Sequence, residues 1–256
     1  MLLTGASGGI GHAIAKAVAD HGGRLIVTGR RGDVLDELIA KYGGRAVVVD
    51  LAQREDVDRL AHEAGDVDIL IANAGLPASG TLESFTVNEI DRALDVNLRA
   101  PMMLAKELAP GMVANGRGHV LFVSSLLGKF PSSSSSVYCA TKFGLRGFAG
   151  SLRAELRNAG VGVSVVFPGF IRDAGMFADA RVDVPKGVGT NSPEDVARGV
   201  VNAIERNRGE VDVAPVPQQI LAGIAGVAPA FFAGLSRRAG ADVVGLKVAE
   251  GQRDKR

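Results

Sequence analysis

Five short apolar runs alternate with helix-length segments along most of the chain, and this alternation constrains the fold more than any other feature. The runs are rich in Val, Ile and Leu and lie at residues 24–29, 45–50, 68–75, 119–125 and 161–169. We predict helices at residues 10–21, 34–41, 57–64, 89–113 and 137–158. Strands that are apolar throughout, rather than alternately apolar and polar, are typical of a parallel sheet covered on both faces. The sequence therefore predicts an α/β fold with a doubly wound parallel sheet.

The two ends of this series carry weaker strand signals. Residues 1–4 would make a first strand shorter than the usual about 5 to 6 residues, which a translation start further upstream would explain. Residues 210–215, EVDVAP, fit a last strand. Because α/β domains of roughly 250 residues commonly form one unit, we predict a single domain over residues 1–215. A helical extension with a charged tail is expected over 216–256.

Charge, cysteine and histidine content narrow the possible partners. Lysine and arginine number 29 against 28 acidic residues, so net charge does not draw the protein to nucleic acid or anionic lipid. The single cysteine, Cys139, excludes an internal disulfide framework and fits a reducing compartment. The chain opens without the basic segment of a signal peptide, and its four histidines lack the spacing of metal ligands. We expect a cytoplasmic protein that binds a small molecule and no metal.

A glycine-rich turn follows the first strand, in the stretch TGASGGIG. Gly5, Gly9 and Gly11 are spaced G-x-x-x-G-x-G, which permits a tight turn and close approach of the backbone to a ligand. The helix after it would present free N–H groups to a phosphate. No Gly-Lys-Ser/Thr follows, so this is not a Walker A loop. A pyrophosphate would fit here, although an ordinary loop is also compatible with the glycines.

The end of the second strand reads Gly29, Arg30, Arg31. In dinucleotide-binding folds an acidic residue at this place selects a free ribose 2′-hydroxyl. The acid is missing, and arginine can instead bind a 2′-phosphate in a bidentate manner. This favours NADP over NAD, against the alternative that both arginines are simply solvated residues after a strand.

Tyr138 and Lys142 lie four residues apart in a predicted helix, where their side chains share a face. A free tyrosine has a pKa near ~10, and a neighbouring cation lowers that value. The pair is therefore either a surface contact or a phenol tuned for proton transfer.

Seven motifs in order resemble those of the short-chain dehydrogenase/reductase family, NADP-preferring type, over residues 1–215. They are TGASGGIG, Asp50 with Leu51, NAG at 73–75, Asn97 in VNL, Ser124 with Ser125, YCATK from Tyr138, and Pro168 with Gly169. The resemblance implies a Rossmann-like fold and an oxidoreductase that transfers a hydride between NADP(H) and a carbonyl or alcohol substrate, as a carbonyl reductase does. A non-catalytic dinucleotide sensor or scaffold, or an NAD-preferring dehydrogenase, are the alternatives.

The resemblance also implies roles for four residues. Tyr138 would be the acid/base, and Lys142 would lower its pKa and hold the nicotinamide ribose. Ser125 lies thirteen residues before Tyr138, the family's spacing, so it rather than Ser124 would bind the substrate oxygen. Asn97 would hold a water that relays protons through Lys142. Read without the resemblance, the serines would be turn caps and Asn97 a buried polar group with local bonds.

The cofactor-binding set that the resemblance implies is Gly5, Ser7, Gly9, Ile10, Gly11, Arg30, Arg31, Asp50, Leu51, Asn73, Ala74, Gly75, Tyr138, Lys142, Pro168, Gly169 and Ile171. Asp50 and Leu51 would contact the adenine ring. The family often has a threonine near the nicotinamide carboxamide where this chain has Asp173. A carboxylate can accept the amide N–H but cannot donate, so that contact would pass to the backbone or to another residue.

Two later segments bear on substrate and assembly. Residues 170–190 form the expected substrate loop, whose mixed apolar and charged content favours a partly apolar carbonyl or alcohol. Apolar residues then recur at helical spacing at positions 220, 221, 224, 227, 231, 232 and 235, with Pro229 inside the pattern. A lid over the substrate cleft, a second subunit or a membrane surface would cover this stripe. We expect that a lid over the cleft and a second subunit cover it together. The protein would then be a homo-oligomer that does not contact a membrane.

Overall fold

A computed structural model describes residues 1–175, 189–227 and 250–252. In this part of the chain seven parallel strands form one sheet in the order β3-β2-β1-β4-β5-β6-β7. The strands are β1 (Leu2–Thr4), β2 (Ile26–Gly29), β3 (Arg45–Val48), β4 (Ile69–Ala72), β5 (Gly118–Val123), β6 (Val161–Pro168) and β7 (Glu210–Val213). The helices are α1 (Gly9–Asp20), α2 (Gly32–Tyr42), α3 (Arg54–Ala64), α4 (Val87–Leu94), α5 (Ala100–Ala114), α6 (Ser136–Glu155), α7 (Pro193–Glu205) and α8 (Val216–Val227).

The strand order reverses between β1 and β4, which pair in parallel with Leu2 opposite Leu70. The chain runs outward from β1 to β3, then crosses back to β4 and continues to the other edge. Such a reversal opens a crevice at the carboxyl ends of the strands, where open α/β sheets bind ligands. The predicted glycine turn lies at this place.

Both faces of the sheet are buried, as the continuous apolar runs predict. Alternate residues of β5 enter different cores: Phe122 packs with residues of α3, α5 and α6, and Leu121 packs with residues of α1, α2 and α7. All eight residues of β6 are buried. The predicted doubly wound α/β fold is confirmed.

The predicted helix over 89–113 is interrupted by a π-helical turn at Asp95–Arg99, where the Ala100 N–H donates to the Asp95 carbonyl five residues back. Pro101 follows at the start of α5. A proline has no N–H to donate and its ring clashes with the preceding turn, so regular α-helical bonding cannot continue through this point.

One helix of the structure, α7, has no counterpart in the sequence-based prediction. Ser192 accepts a hydrogen bond from the Asp195 N–H, the Asp195 carboxylate accepts from the Ser192 N–H, and Pro193 occupies the first turn. This capping box with an early proline is a helix-start signal that could have located α7.

The chain after β7 forms α8. Val216, Ile220 and Ile224 are exposed, whereas Ala222 and Ala225 are buried. Within the described ranges, the first part of the apolar stripe is therefore partly open, and positions 229–235 lie outside them. Among the described residues, no helix has the length and apolar character needed to cross a membrane.

Candidate active site

The glycine turn between β1 and α1 is folded tightly on itself. Gly5 has a φ of 66°, and a Cβ added there would lie 2.7 Å from the Ala74 Cα. A Cβ on Gly11 would lie 2.2 Å from the Gly5 carbonyl oxygen. Neither position accepts a side chain without a shift of backbone. The glycines therefore bring the start of α1, with its free N–H groups, close to the crevice.

Asn73 and Thr4 fasten this turn to the sheet. The Asn73 Nδ2 donates to the carbonyls of Thr4 (3.1 Å) and Gly5 (3.2 Å). The Thr4 Oγ1 accepts from the N–H groups of Asn73 (3.1 Å) and Ala74 (3.0 Å). Both amide hydrogens of Asn73 are thus used inside the protein, so its side chain positions the turn. Thr4, which the sequence analysis did not single out, shares this function.

Arg31 links the end of β2 to the glycine turn. Its Nη2 donates to the Ser7 carbonyl, and a Cβ on Gly29 would lie 2.9 Å from the Ser7 Oγ. Arg30 is exposed beside it. The two arginines therefore place positive charge beside the glycine turn.

Asp50 and Leu51 follow β3 and have different surroundings. The Asp50 Oδ1 accepts from the Ala52 N–H at 3.1 Å, and the Asp50 Oδ2 lies 3.8 Å from the Arg92 Nη2. Leu51 is buried in the core. Asp50 also borders a cavity of about 250 Å³ between the end of β3 and α4.

Ser125 and Tyr138 meet although they belong to different elements. Ser125 follows β5 and Tyr138 lies in the first turn of α6. Their side chains are close enough for Ser125 to lower the pKa of the phenol, and the Ser125 Oγ accepts from the Leu127 N–H at 3.2 Å. Ser124 is buried and donates to the Lys142 carbonyl at 3.2 Å. The structure thus brings Ser125, not Ser124, to the phenol.

Lys142 lies one helical turn after Tyr138 and is only 2% exposed. Its Nζ donates to the Val123 carbonyl at 3.1 Å and lies 5.6 Å from the centre of the Tyr138 ring. Burial lowers the pKa of this ammonium to about 8, because the charged form is disfavoured away from water.

The pKa of Tyr138 is shifted in the opposite direction from the sequence-based expectation. Burial raises the pKa above its ordinary value, and the neighbouring Ser125 hydroxyl offsets only part of that effect. The ring packs against a small apolar cluster of Ala78, Ala93 and Val137. The Lys142 ammonium donates to the Val123 carbonyl, and desolvation is the main cause of the raised pKa of Tyr138.

Asn97 is buried in the π-helical turn at Asp95–Arg99. Its Oδ1 accepts from the Leu76 N–H at 2.6 Å and its Nδ2 donates to the Leu76 carbonyl at 2.9 Å. These bonds fasten the chain after β4 to the start of α5. Asn97 is thus a buried polar group, but its bonds reach a residue 21 positions earlier in the chain and are not local. The predicted water relay stays a prediction.

The chain leaving β6 passes over the glycine turn. Pro168 ends the strand, the Gly169 N–H donates to the Val213 carbonyl at 3.0 Å, and Ile171 is buried. A Cβ on Gly9 would lie 2.4 Å from the Ala174 Cβ, so these two residues are in close contact. Asp173 has a φ of 66° and pairs with Arg172 at 3.4 Å.

The apolar residues expected to contact substrate within 176–188 lie outside the described residues. In the described part no cluster of His, Cys, Asp or Glu is arranged to hold a metal ion. A cavity of about 630 Å³ between α3 and α5 is lined by none of the predicted site residues. The carboxyl ends of β1, β4, β5 and β6 bring together the glycine turn, Asn73, Ser125 and Pro168. The arginines after β2 border the glycine turn, whereas Asp50 and Leu51 follow β3.

Comparison with known proteins decides the family. The family model for short chain dehydrogenases matches residues 1–184. The chain is a short-chain dehydrogenase. This short-chain dehydrogenase is 36% identical over 222 residues to the ketoacyl reductase HetN of Nostoc sp., a match that covers 83% of this chain and 77% of the relative. It is 32% identical to dehydrogenase/reductase SDR family member 7B of Xenopus laevis, covering 93% of this chain and 81% of the relative.

Among solved structures, the fold is similar to that of a short-chain dehydrogenase from Sphingobium yanoikuyae in complex with NADPH. The TM-score is 0.80 at 26% identity, over 91% of this short-chain dehydrogenase and 94% of the other chain. The chain is thus an oxidoreductase by family, with relatives whose structures contain NADP(H).

Proposed function

We propose that this short-chain dehydrogenase transfers a hydride between NADP(H) and a carbonyl or alcohol substrate, with Tyr138 as the acid/base. The observation that carries the proposal is the approach of Ser125 to the Tyr138 phenol, with the Lys142 ammonium one turn further along α6 and 5.6 Å from the centre of the Tyr138 ring. The pair lies after β5 in the same crevice as the glycine turn. A cofactor above that turn would extend toward the two hydroxyls.

The proton donor of the proposed reduction is the Tyr138 hydroxyl. The bound nicotinamide supplies the hydride to the carbonyl carbon, so the oxygen needs one proton to give a neutral alcohol. The raised pKa keeps Tyr138 protonated at neutral pH, and Ser125 donates a hydrogen bond to the same oxygen. Oxidation of an alcohol is the reverse, in which Tyr138 must first lose its proton.

Lys142 favours the loss of the Tyr138 proton in the oxidative direction. With a pKa of about 8 the ammonium is mostly charged at neutral pH, and a cation close to a phenol stabilises the phenolate. A general acid/base works best with a pKa near the operating pH. In this proposal Lys142 also holds the nicotinamide ribose, and Asn97 orders a water that returns protons to it.

The residues of the crevice fit NADP(H) in two respects. Gly5 and Gly11 let the turn fold tightly, which brings the start of α1, a frequent anion site, to the crevice where a pyrophosphate would bind. Arg30 and Arg31 stand where an acid would otherwise select the 2′-hydroxyl of NAD. Asp50 and Leu51 would contact the adenine, and Pro168, Gly169 and Ile171 the nicotinamide. The Sphingobium relative, whose structure contains NADPH, supports NADP(H) as the proposed cofactor.

The proposed substrate is a partly apolar ketone or aldehyde, or the alcohol derived from it. The name of the Nostoc relative, a ketoacyl reductase, makes 3-ketoacyl thioesters the first compounds to test. We further propose that the protein acts in the cytoplasm as a homo-oligomer, whose subunit contacts would cover exposed apolar residues such as Phe143 and Val113.

The test is NADPH oxidation by the purified protein with a panel of 3-ketoacyl thioesters, aromatic ketones and aldehydes. Turnover that is faster with NADPH than with NADH supports the proposal. Tight NADPH binding without turnover of any panel compound would favour the rival function, a dinucleotide sensor. Faster turnover with NADH would favour an NAD-dependent dehydrogenase.

A further inference from the structure

A short 3₁₀ turn at Leu126–Gly128 follows Ser125 and lies directly on α6. The Gly128 N–H donates to the Ser125 carbonyl at 2.8 Å. A Cβ added to Gly128 would lie 2.8 Å from the Lys142 carbonyl oxygen, so a side chain at this position would push the turn away from the helix. The turn is therefore a compact link that runs from Ser125, across α6, to Lys129.

Lys129 fastens the far end of the turn to β7, which is an edge strand of the described sheet. Its Nζ lies 2.6 Å from the Asp212 Oδ1, 3.1 Å from the Glu210 Oε2 and 4.3 Å from the centre of the Phe167 ring. The two carboxylates share one face of β7, because side chains two residues apart in a strand point the same way. With its side chain only 12% exposed, Lys129 anchors the turn that follows Ser125.

The Glu210 carboxylate also binds the helix that carries Tyr138. Arg146, two helical turns after Tyr138, donates from its Nε to the Glu210 Oε1 at 2.6 Å and from its Nη2 to the Oε2 at 3.0 Å. Such two-bond pairs of arginine and carboxylate have a fixed geometry. Burial would raise the pKa of Glu210, but the bonds from Arg146 and then Lys129 lower it below its ordinary value. One ionised carboxylate thus joins the Lys129 ammonium to the Arg146 guanidinium.

Stability does not by itself account for this ion-pair network. Ion pairs at or below the surface contribute little net stability, because desolvation and lost side-chain freedom oppose their attraction. Charged side chains on an edge strand also discourage pairing with another sheet, but that purpose needs no bond to either segment of the site. The network instead joins the two chain segments that hold Ser125 and Tyr138.

We propose that Glu210 is a positioning residue for the reaction. Its bond to Lys129 holds the turn after Ser125, and its bonds to Arg146 hold α6. The hydroxyls of Ser125 and Tyr138 are thereby aligned on one substrate oxygen. This effect on catalysis rests on the proposed function, whereas the network itself is a property of the fold. A misplacement of about 1 Å between reacting groups can cost about 10²-fold in rate, so a small loosening of the turn is measurable.

The first experiment measures the hold on the turn, by amide hydrogen exchange of peptides that contain residues 126–130. Glu210→Gln keeps the size of the side chain but removes its charge, and the new amide nitrogen cannot accept from Lys129 or Arg146. We expect exchange in these peptides to rise about three- to tenfold, the range for loss of one net hydrogen bond.

Arg153→Gln is the matched control. Arg153 also lies in α6 and also ties this helix to the sheet, because its Nη1 donates to the Val163 carbonyl at 2.6 Å. It does so at the end of α6 that is far from Tyr138. Exchange at residues 126–130 should therefore stay at the wild-type rate in this variant.

The second experiment measures kcat and KM for the panel compound with the highest kcat/KM. Glu210→Gln should lower kcat/KM about ten- to a hundredfold, mainly through kcat, because the aligned hydroxyls act on the oxygen as charge develops there. Lys129→Met, which keeps an unbranched side chain without the charge, should show a similar loss. Arg153→Gln should stay within about twofold of wild type.

A double-mutant cycle separates positioning from general destabilisation. Once Ser125 is replaced by alanine there is no serine hydroxyl to align, so adding Glu210→Gln to Ser125→Ala should lower kcat by less than about twofold further. A purely structural role would lower kcat by the same factor in both backgrounds.

A wild-type kcat/KM in Glu210→Gln, an equal loss in Arg153→Gln, or equal losses with and without Ser125 would overturn the proposal. A changed mass in solution without loss of kcat would assign the network to protection of the edge strand instead. Absence of wild-type turnover would contradict the proposed function, and exchange at residues 126–130 would still decide whether Glu210 holds the turn.

Discussion

At the scale of single residues, burial shifts the pKa values of Tyr138 and Lys142 so that each side chain favours its neutral form. The pKa of the phenol is raised and that of the ammonium is lowered to about 8, with burial as the main cause in both cases. In the proposed function, a phenol that holds its proton would act as the donor in carbonyl reduction. In the oxidative direction the same burial opposes the loss of the proton, so we expect oxidation to need a higher pH than reduction.

Removal of the phenolic hydroxyl tests this role. Tyr138→Phe keeps the ring that packs against Ala78 and Val137, so NADPH should bind with an unchanged Kd. Turnover should fall by about 10² to 10⁴, the usual effect of losing a general acid. Tyr42→Phe, which changes the other tyrosine of the chain, is the control and should retain wild-type kcat. Activity of Tyr138→Phe within a few fold of wild type would remove Tyr138 from the mechanism.

Cofactor preference is tested at Arg30, which is exposed after β2. Arg30→Ala should weaken NADPH binding by roughly 1.5 to 3 kcal/mol, the range for a hydrogen bond to a charged group, and leave NADH binding nearly unchanged. Arg24→Ala, at the opposite end of the same strand, should change neither Kd in fluorescence titrations. Equal weakening of both cofactors, or a wild type that already prefers NADH, would contradict the assignment of the 2′-phosphate site.

At the scale of elements, two departures from the predicted secondary structure have local causes. Pro101 interrupts regular helical bonding after α4, and the resulting π-helical turn carries Asn97. The side chain of Asn97 then reaches Leu76 after β4. An uninterrupted helix would present position 97 at a different angle, so the irregular turn is what aims this residue.

The second departure, α7, provides a stability prediction at this scale. Ser192→Ala removes the oxygen that accepts from the Asp195 N–H, and loss of such a cap typically costs about 0.5 to 2 kcal/mol. We expect a decrease of this size in the free energy of unfolding, measured with urea, because α7 packs against α1 through buried residues such as Val196. Ser192→Asp, which keeps a capping oxygen, should lie close to wild type. Equal losses in both variants would argue against the cap.

At the scale of the whole molecule, one buried histidine should make the stability of the fold depend on pH. His119 lies at the start of β5, and its Nε2 is 2.8 Å from the Ser164 Oγ of β6. Burial, and then the charge of Arg153, lower its pKa to about 4 from 6.5. The unfolded chain therefore binds the proton more strongly, so the stabilisation is complete above pH 6.5 and is lost as the pH falls toward 4.

Between pH 7 and pH 5.5 protonation of His119 should lower the free energy of unfolding by about 1 to 1.5 kcal/mol. Urea titrations at the two pH values measure this difference. His119→Gln removes the titrating ring but can still donate to Ser164, so its free energy should change less between the two pH values. His62→Gln, at an exposed position of α3, should keep the full pH dependence of the wild type. A wild-type free energy that stays constant over this range would refute the prediction.

Most of the architecture follows from local patterns in the sequence. Continuous apolar runs predict buried parallel strands, and the spacing of Gly5, Gly9 and Gly11 predicts a turn that approaches a phosphate. The pair Tyr138 and Lys142 shares a helix face because helical geometry repeats every 3.6 residues. Each of these inferences depends only on residues that are close along the chain, for which periodicity and steric rules are sufficient.

Only the tertiary structure decided how the site residues meet. The approach of Ser125 to Tyr138, the bond from the Lys142 ammonium to the Val123 carbonyl and the bonds of Asn97 to Leu76 join elements far apart in the sequence. Desolvation of Tyr138 likewise sums over surrounding side chains from several elements, which is why its pKa rises where the Lys142 neighbour alone predicted a fall. The sequence by itself determined the alternation of strands and helices and the place of the glycine turn, because those inferences are local. Packing between distant elements determined the orientation and charge of the site residues.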